Sequence, residues 1–163
     1  MIAVIRHAEA GKRGSVDDSS RPLSEVGRIQ AEGLPAQLAG VPLARVLTSP
    51  YARCRQTVDP LAAARGLALE DLGALGESRA ADEVLALLPE LAPAGAALCS
   101  HGDVIRAIVR ALVAQGLADP RTARWAKGST WLLELESSKL VAARYLGPPV
   151  PGRERRRPRA SNG

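Results

Sequence analysis

The chain has 163 residues, 46% of them hydrophobic, and a formal net charge of +5. That length and composition suit one ordinary globular domain with a real core and argue against disorder along the body. No apolar run is long enough to span a bilayer, and Arg6 interrupts the first one early, so neither a signal peptide nor a transmembrane helix is expected and the protein reads as cytoplasmic.

The charge is unevenly placed. Residues 147–163 hold five arginines against one acid, Glu154, which leaves +1 on residues 1–146. Gly147-Pro148-Pro149-Val150-Pro151-Gly152 cannot hold regular structure, and with the arginines after it residues 147–163 read as a disordered basic tail. A solvated terminus is the plain reading of that tail; contact with acidic partners is the sharper one. The body offers no large basic face with interleaved aromatics, so nucleic-acid binding is not implied. Cys54 and Cys99 form no spacing motif and are expected as reduced thiols.

In chain order, Ile2–Arg6 reads as a buried strand and Gly11–Ser20 as a polar loop. Leu23–Leu38 has helical spacing through Val26, Ile29, Leu34 and Leu38, with Ser24 as N-cap and Pro35 as a kink or division. Arg45–Thr48 is a short strand stopped by Ser49-Pro50, and Tyr51–Arg65 a helix ended by Gly66. Leu67–Leu72 is a weak strand, Ala80–Leu91 a helix, Ala96–Ser100 a strand and Val104–Gln115 an apolar helix ended by Gly116. Thr130–Glu136 and Leu140–Leu146 read as a hairpin joined by Ser137-Ser138-Lys139. The alternation predicts an α/β three-layer sandwich, a mostly parallel central sheet with helices on both faces.

Both histidines of the chain stand at strand ends, His7 after Ile2–Arg6 and His101 after Ala97-Leu98-Cys99-Ser100. In parallel sheets ligands bind beyond the carboxyl ends of the strands, where Arg6-His7, Ser49-Pro50 and His101-Gly102 all fall. Arg53 lies in the first turn of the helix that Ser49-Pro50 opens. A helix N-terminus favours anions, and Arg6 and Arg53 add planar, permanently charged forks that fit phosphate oxygens. The constellation describes a pocket for a dianionic phosphoryl group. A Ser-His-Asp hydrolase built on Ser100, His101 and Asp103 is disfavoured, because strand neighbours point to opposite faces and no GxSxG is present. The histidines are far apart in sequence and lie in no metal-binding pattern, so no metal or other cofactor is expected.

Arg6-His7-Ala8, Ser49-Pro50 with Arg53 and Gln56-Thr57, and Ser100-His101-Gly102 resemble the histidine phosphatase superfamily, also called phosphoglycerate-mutase-like. Arg21-Pro22-Leu23-Ser24 with Gly27 and Gln30-Ala31 resembles its small SixA-type branch. The resemblance covers residues 1–146, taken as one histidine phosphatase domain. Lys127-Gly128-Ser129-Thr130-Trp131 is similar to the histidine-phosphatase domain joined to a Nudix domain in some actinobacterial proteins.

The resemblance implies that His7 attacks phosphorus, that water hydrolyses the resulting phosphohistidine without a metal, and that Arg6, Arg53 and His101 hold the phosphoryl oxygens. It places the acid that protonates the leaving oxygen near Glu77, whose plain reading is a solvated loop carboxylate. Asp103 is the second candidate, with a helix cap as its plain reading. Glu9 and Asp18 in the loop after His7, Ser49, Tyr51 and Gly102 at the strand ends, and Lys127 at the rim complete the candidate substrate contacts. A chain this short has no room for the covering segments of a mutase, so hydrolysis is favoured. The substrate is then a phosphorylated protein, phosphohistidine included, or a small phosphomonoester. The alternatives are a nucleotide phosphatase, with Tyr51 or Trp131 as the stacking aromatic, and a non-catalytic phosphate-binding module.

Overall fold

A computed structural model describes residues 1–12, 14 and 17–150. Part of the loop after His7, and the arginine-rich segment from Pro151 on, lie outside the described residues. The elements are β1 (Ile2–Arg6), α1 (Glu25–Gln37), β2 (Arg45–Thr48), α2 (Ala52–Arg65), β3 (Leu69–Asp71), α3 (Ala81–Leu91), β4 (Ala96–Ser100), α4 (Gly102–Ala114), β5 (Thr130–Glu136) and β6 (Lys139–Leu146). They build one six-stranded sheet in the order β3-β2-β4-β1-β5-β6. The first four strands are parallel, and β5 and β6 add the antiparallel hairpin.

β1 and β4 are central and apolar almost throughout because both faces of the sheet are covered. The strand alternation sorts their side chains into two cores. Ile2, Val4 and Leu98 meet Leu88, Ile105, Ile108 and Leu112 of α3 and α4. Ala3, Ile5, Ala97 and Cys99 meet Leu34, Val58 and Leu61 of α1 and α2 on the other face. This is the expected three-layer arrangement. Truncating a fully buried leucine such as Leu34 or Leu98 to alanine should cost about 2–5 kcal/mol.

Several local expectations hold in detail. The Ser24 hydroxyl accepts the Gly27 N–H and caps α1. Gly66 closes α2 at φ 64°. The hairpin forms as expected, but its turn is shorter: Ser137 and Ser138, both at positive φ, make a two-residue turn, and Lys139 already belongs to β6, paired with Glu136.

Others are corrected. In α1 the buried stripe is Gly27, Ala31 and Leu34, continued by Leu38, while Val26 and Ile29 are 51% and 36% exposed. The small residues face inward because Gly27 packs against the backbone of Glu9, where a Cβ would stand 1.9 Å from the Glu9 carbonyl oxygen. Pro35 does not divide the helix, which runs on to Gln37. α4 begins at Gly102 with His101 as its N-cap, so Asp103 lies inside the first turn and does not cap it. After β6, the Gly147 carbonyl accepts the Gln37 amide at 2.8 Å, and Pro149 rests on Gly33, where a Cβ would come within 2.4 Å of the proline ring. Among the described residues, no helix is long and apolar enough to cross a membrane.

Candidate active site

The register of the three central parallel strands brings the candidate residues together. Arg6 of β1 is level with Ser100 of β4, and Thr48 of β2 is level with Cys99. His7, Ser49 and His101 therefore follow three adjacent strand ends. Backbone bonds then hold the turns: His7 N–H donates to the Ser100 carbonyl at 2.9 Å and Ser49 N–H to the Cys99 carbonyl at 3.0 Å. The Ala8 N–H donates to the Thr57 hydroxyl, which itself donates to the Arg53 carbonyl, so α2 is tied to the loop that carries His7.

His7 is 7% exposed and lines the cleft. Its Nδ1 lies 2.8 Å from the Ala8 carbonyl, which can only accept. The proton of the neutral ring is therefore on Nδ1, and Nε2 carries a free lone pair. Burial, with the charges of Arg53 and Arg6 behind it, pushes the His7 pKa down to about 3 against the opposing Ala8 bond. At neutral pH the ring is an uncharged nucleophile.

Arg53 is completely buried. Its Nη1 donates to the Asp18 carbonyl and pairs with the Asp18 carboxylate at 3.1 Å. Its Nη2 donates to Glu77 Oε2 at 3.0 Å and to His101 Nδ1 at 3.1 Å. The Tyr51 ring lies under the guanidinium, 4.7 Å away, and edge-on to His101 at 4.8 Å. Because a guanidinium can only donate, His101 accepts at Nδ1, and its neutral ring carries the proton on Nε2, toward the Ser49 hydroxyl at 2.8 Å. Cys54 Sγ is 3.5 Å from the same Nε2, and both cysteines are free and buried. In this arrangement Asp18 pairs with one terminal nitrogen of Arg53 and Glu77 with the other.

Arg6 donates from Nη1 to the Trp125 carbonyl at 2.6 Å. Its guanidinium lies directly over Gly102, where a Cβ would be 2.7–2.9 Å from three of its atoms. Burial lowers the pKa of Arg6 and the Asp103 charge opposes that, and arginine stays protonated at neutral pH. The buried Nε atoms of Arg6 and Arg53 have no partner among the described residues. Donors left open beside a nucleophile are suited to oxygens that arrive with a substrate.

An open cleft of about 650 Å³ lies over His7. Arg6, Arg21, Arg106 and Lys127 line it against Glu77 and Asp103, which leaves an excess of positive charge, and Trp125 supplies its aromatic wall. Of the sequence candidates, Arg6, His7, Glu77, Gly102 and Lys127 line this cleft, and Arg53, His101, Ser49, Tyr51 and Asp18 form the layer around Arg53. Glu9 is drawn elsewhere: its carboxylate accepts the Ser24 hydroxyl at 2.9 Å and its N–H donates to Gln30, beside the N-terminus of α1. Trp131 is in the core, 4% exposed and packed on Tyr145, with its indole N–H on the Arg124 carbonyl. The aromatic in the cleft is Trp125, which no sequence signal marked. Arg106 could have been found, since it follows Gly102 by four residues on a helix that opens at the site. Arg21 entered the sequence reading only through the resemblance. It lines the cleft and pairs with Asp18 at 2.9 Å.

Comparison with known proteins adds three findings. Residues 2–82 match the model of the histidine phosphatase superfamily (branch 1). The chain is 37% identical over 155 residues to an 8-oxo-(d)GTP phosphatase of Mycolicibacterium smegmatis, covering 91% of this chain and 48% of that protein. It thus spans about half the length of that curated relative. Among solved structures it superposes on a SixA protein of Agrobacterium tumefaciens with a TM-score of 0.76 at 21% identity, covering 90% and 97% of the two chains. The protein histidine phosphatase SixA complexed with tungstate gives 0.71 at 22% identity over 91% and 96%. The architecture is therefore the phosphoglycerate-mutase-like fold.

Proposed function

The chain belongs to the histidine phosphatase superfamily, and on that premise we propose that it is a metal-independent phosphatase that hydrolyses phosphomonoesters or phosphohistidine through a covalent intermediate on His7. The observation that carries this reading is the state of His7: its Nδ1 proton is committed to Ala8, which leaves the Nε2 lone pair for attack, and the ring lines the cleft, kept uncharged by burial with the charges of Arg53 and Arg6 behind it.

The steps follow from those groups. A phosphoryl dianion enters the cleft over His7 and takes over donors of Arg53 and Arg6. His7 Nε2 attacks phosphorus in line with the leaving oxygen, and the bond from phosphorus to that oxygen breaks. The two guanidinium groups stabilise the charge on the equatorial oxygens. Glu77, at the edge of Arg53 and in the cleft wall, supplies the proton to the leaving oxygen. Water then attacks the phosphohistidine, its proton returns to Glu77, and inorganic phosphate leaves His7 unchanged. Phosphohistidine as substrate needs least from Glu77, because a protonated imidazole is already a good leaving group. A non-catalytic phosphate-binding module would have no use for a nucleophile held in this tautomer.

Rapid-quench mass spectrometry of a turning-over sample should find an acid-labile phosphoryl group on His7, and His7→Ala should lose nearly all turnover. Wild-type rates in that variant would exclude the mechanism.

A nucleotide is the second substrate reading. It is favoured by Trp125 and the surplus cations in the cleft, and by the name of the 37% identical relative. A phosphatase screen across a phosphohistidine protein, nucleotides and sugar phosphates separates the two.

A further inference from the structure

The wall of the cleft holds a carboxylate that the steps above do not use. Asp103 stands in the first turn of α4, beside the place where a phosphoryl dianion must bind. A negative charge there opposes substrate binding, so its position calls for another role. Its Oδ2 accepts the N–H of Ser78 at 2.6 Å. Ser78 follows Glu77 directly and has φ 63°, a left-handed conformation that a residue with a Cβ adopts when its surroundings fix it. At the other side of Glu77, the Leu75 carbonyl accepts the Ser100 hydroxyl at 2.8 Å. The loop that carries Glu77 is therefore clipped on both sides to the β4–α4 junction, and that junction carries His101 between the two clips. Arg53 Nη2 closes the ring by touching both Glu77 and His101.

We propose that Asp103 is a positioning residue for Glu77, holding the Glu77 carboxyl between Arg53 and the cleft by fixing the backbone of Ser78. The inference rests on Glu77 as the acid. In the step concerned, His7 Nε2 bonds to phosphorus, the bond to the leaving oxygen breaks, and the proton on that oxygen comes from Glu77; Asp103 gives and takes no proton. A displaced Glu77 then matters in proportion to how much the leaving oxygen needs its proton.

The test compares alkyl phosphate and p-nitrophenyl phosphate turnover in the whole chain. Asp103→Ala should lower the alkyl-to-aryl ratio of kcat by about 10- to 100-fold. Asp103→Asn keeps an oxygen for the Ser78 N–H and should bring the ratio back to within about threefold of wild type. In a Glu77→Gln background, Asp103→Ala should change the ratio by less than about twofold, because both changes act through one carboxyl. Should Asp103→Ala fail to fold, Asp103→Ser carries the same expectation, since it suits a helix start but is too short to reach Ser78.

Equal slowing of both substrates by Asp103→Ala would overturn the positioning role and leave a fold residue. A full further loss in the Glu77→Gln background would overturn it in favour of a separate contribution. A wild-type ratio in Glu77→Gln alone, with a low ratio in Asp103→Ala, would instead remove Glu77 as the acid and put Asp103 in its place.

Discussion

The Nδ1 proton of His7 points into the carbonyl of its own neighbour, Ala8, at 2.8 Å. The acceptor is fixed by the backbone beside the ring, so the fold favours this tautomer. Burial and the neighbouring cations then hold the His7 pKa at about 3. In the proposed mechanism His7 can attack only as the neutral ring, above that value. Titration of His7 should therefore leave no acid limb near pH 6–7 in single-turnover phosphorylation, and any loss of rate from this residue should come only as pH approaches 3. Stability follows the same shift. The unfolded imidazole binds its proton at about pH 6.5, and the folded one at about 3. Below the first value the unfolded state holds more protons, so stability should fall as pH drops from about 6.5 toward 3. His7→Asn should show a shallower acid decline in chemical denaturation; an unchanged slope would mean that His7 is not a buried neutral group.

Activity should persist in excess EDTA. In the proposed mechanism the charge that meets the phosphoryl group comes from Arg6 and Arg53, and the excess of cations in the cleft extends it. Complete loss of turnover on chelation, restored by one particular divalent ion, would overturn the proposed site.

Gly102→Ala should separate activity from stability. The three atoms nearest the added methyl would all belong to the far end of the Arg6 side chain, 2.7–2.9 Å away. A flexible side chain can move aside, so Tm should change little. Displacing Arg6 removes a charge-assisted donor from the transferring group, and kcat/KM should fall by about 100-fold or more. A large drop in Tm with unaltered kcat/KM in the folded fraction would show that Arg6 is not needed in place.

Much of this site was legible because phosphoryl chemistry draws on few residue types, and the strands deliver them at their tips. His7, Arg6, Arg53 and His101 all follow apolar runs or open helices, and each is where that grammar puts it. The misreadings share another cause: packing between elements overrides what one segment shows. Val26 and Ile29 have the hydrophobicity of a buried stripe, but Glu9 demands the close approach that Gly27 allows, and this turns α1 around. Trp131 is buried because β5 alternates toward α3 and α4, and Trp125 lines the cleft on a segment whose carbonyl accepts from Arg6. Neither fact has a local signal. Asp103 follows a strand end and looks like a cap, yet the helix starts two residues earlier than expected, at Gly102, and the Asp103 carboxylate accepts the Ser78 N–H.

Glu77→Gln should act in proportion to the leaving group. Alkyl phosphates depart as alkoxides of high pKa and need a proton in the transition state, so their hydrolysis should slow by about two to four orders of magnitude. p-Nitrophenyl phosphate and protonated phosphohistidine should slow far less. A plot of log kcat against leaving-group pKa should be steeper in the variant than in the wild type. Parallel lines would make Glu77 a residue that orders Arg53, with which it pairs at 3.0 Å.

Trp125→Ala bears on the substrate. The indole is half-buried and forms one wall of the cleft beside Arg6, Arg106 and Lys127. Its backbone carbonyl, not its ring, holds Arg6, so the substitution removes the aromatic face and leaves the anchor of the arginine in place. Stacking of a base on an aromatic side chain contributes about 1–3 kcal/mol, which corresponds to roughly 5- to 150-fold in affinity. If nucleotides are the substrates, KM for a nucleotide should rise by about that factor relative to KM for glycerol phosphate, with kcat changing less. Trp125→Phe should recover part of the difference, because a smaller π-face remains. A phosphorylated protein reaches the open cleft with its phosphoryl group first and has no base to stack, so its turnover should show no such preference. Equal losses on nucleotide, glycerol phosphate and phosphoprotein would assign Trp125 to packing against the α3 and α4 core, on which it also rests, and would withdraw the nucleotide reading.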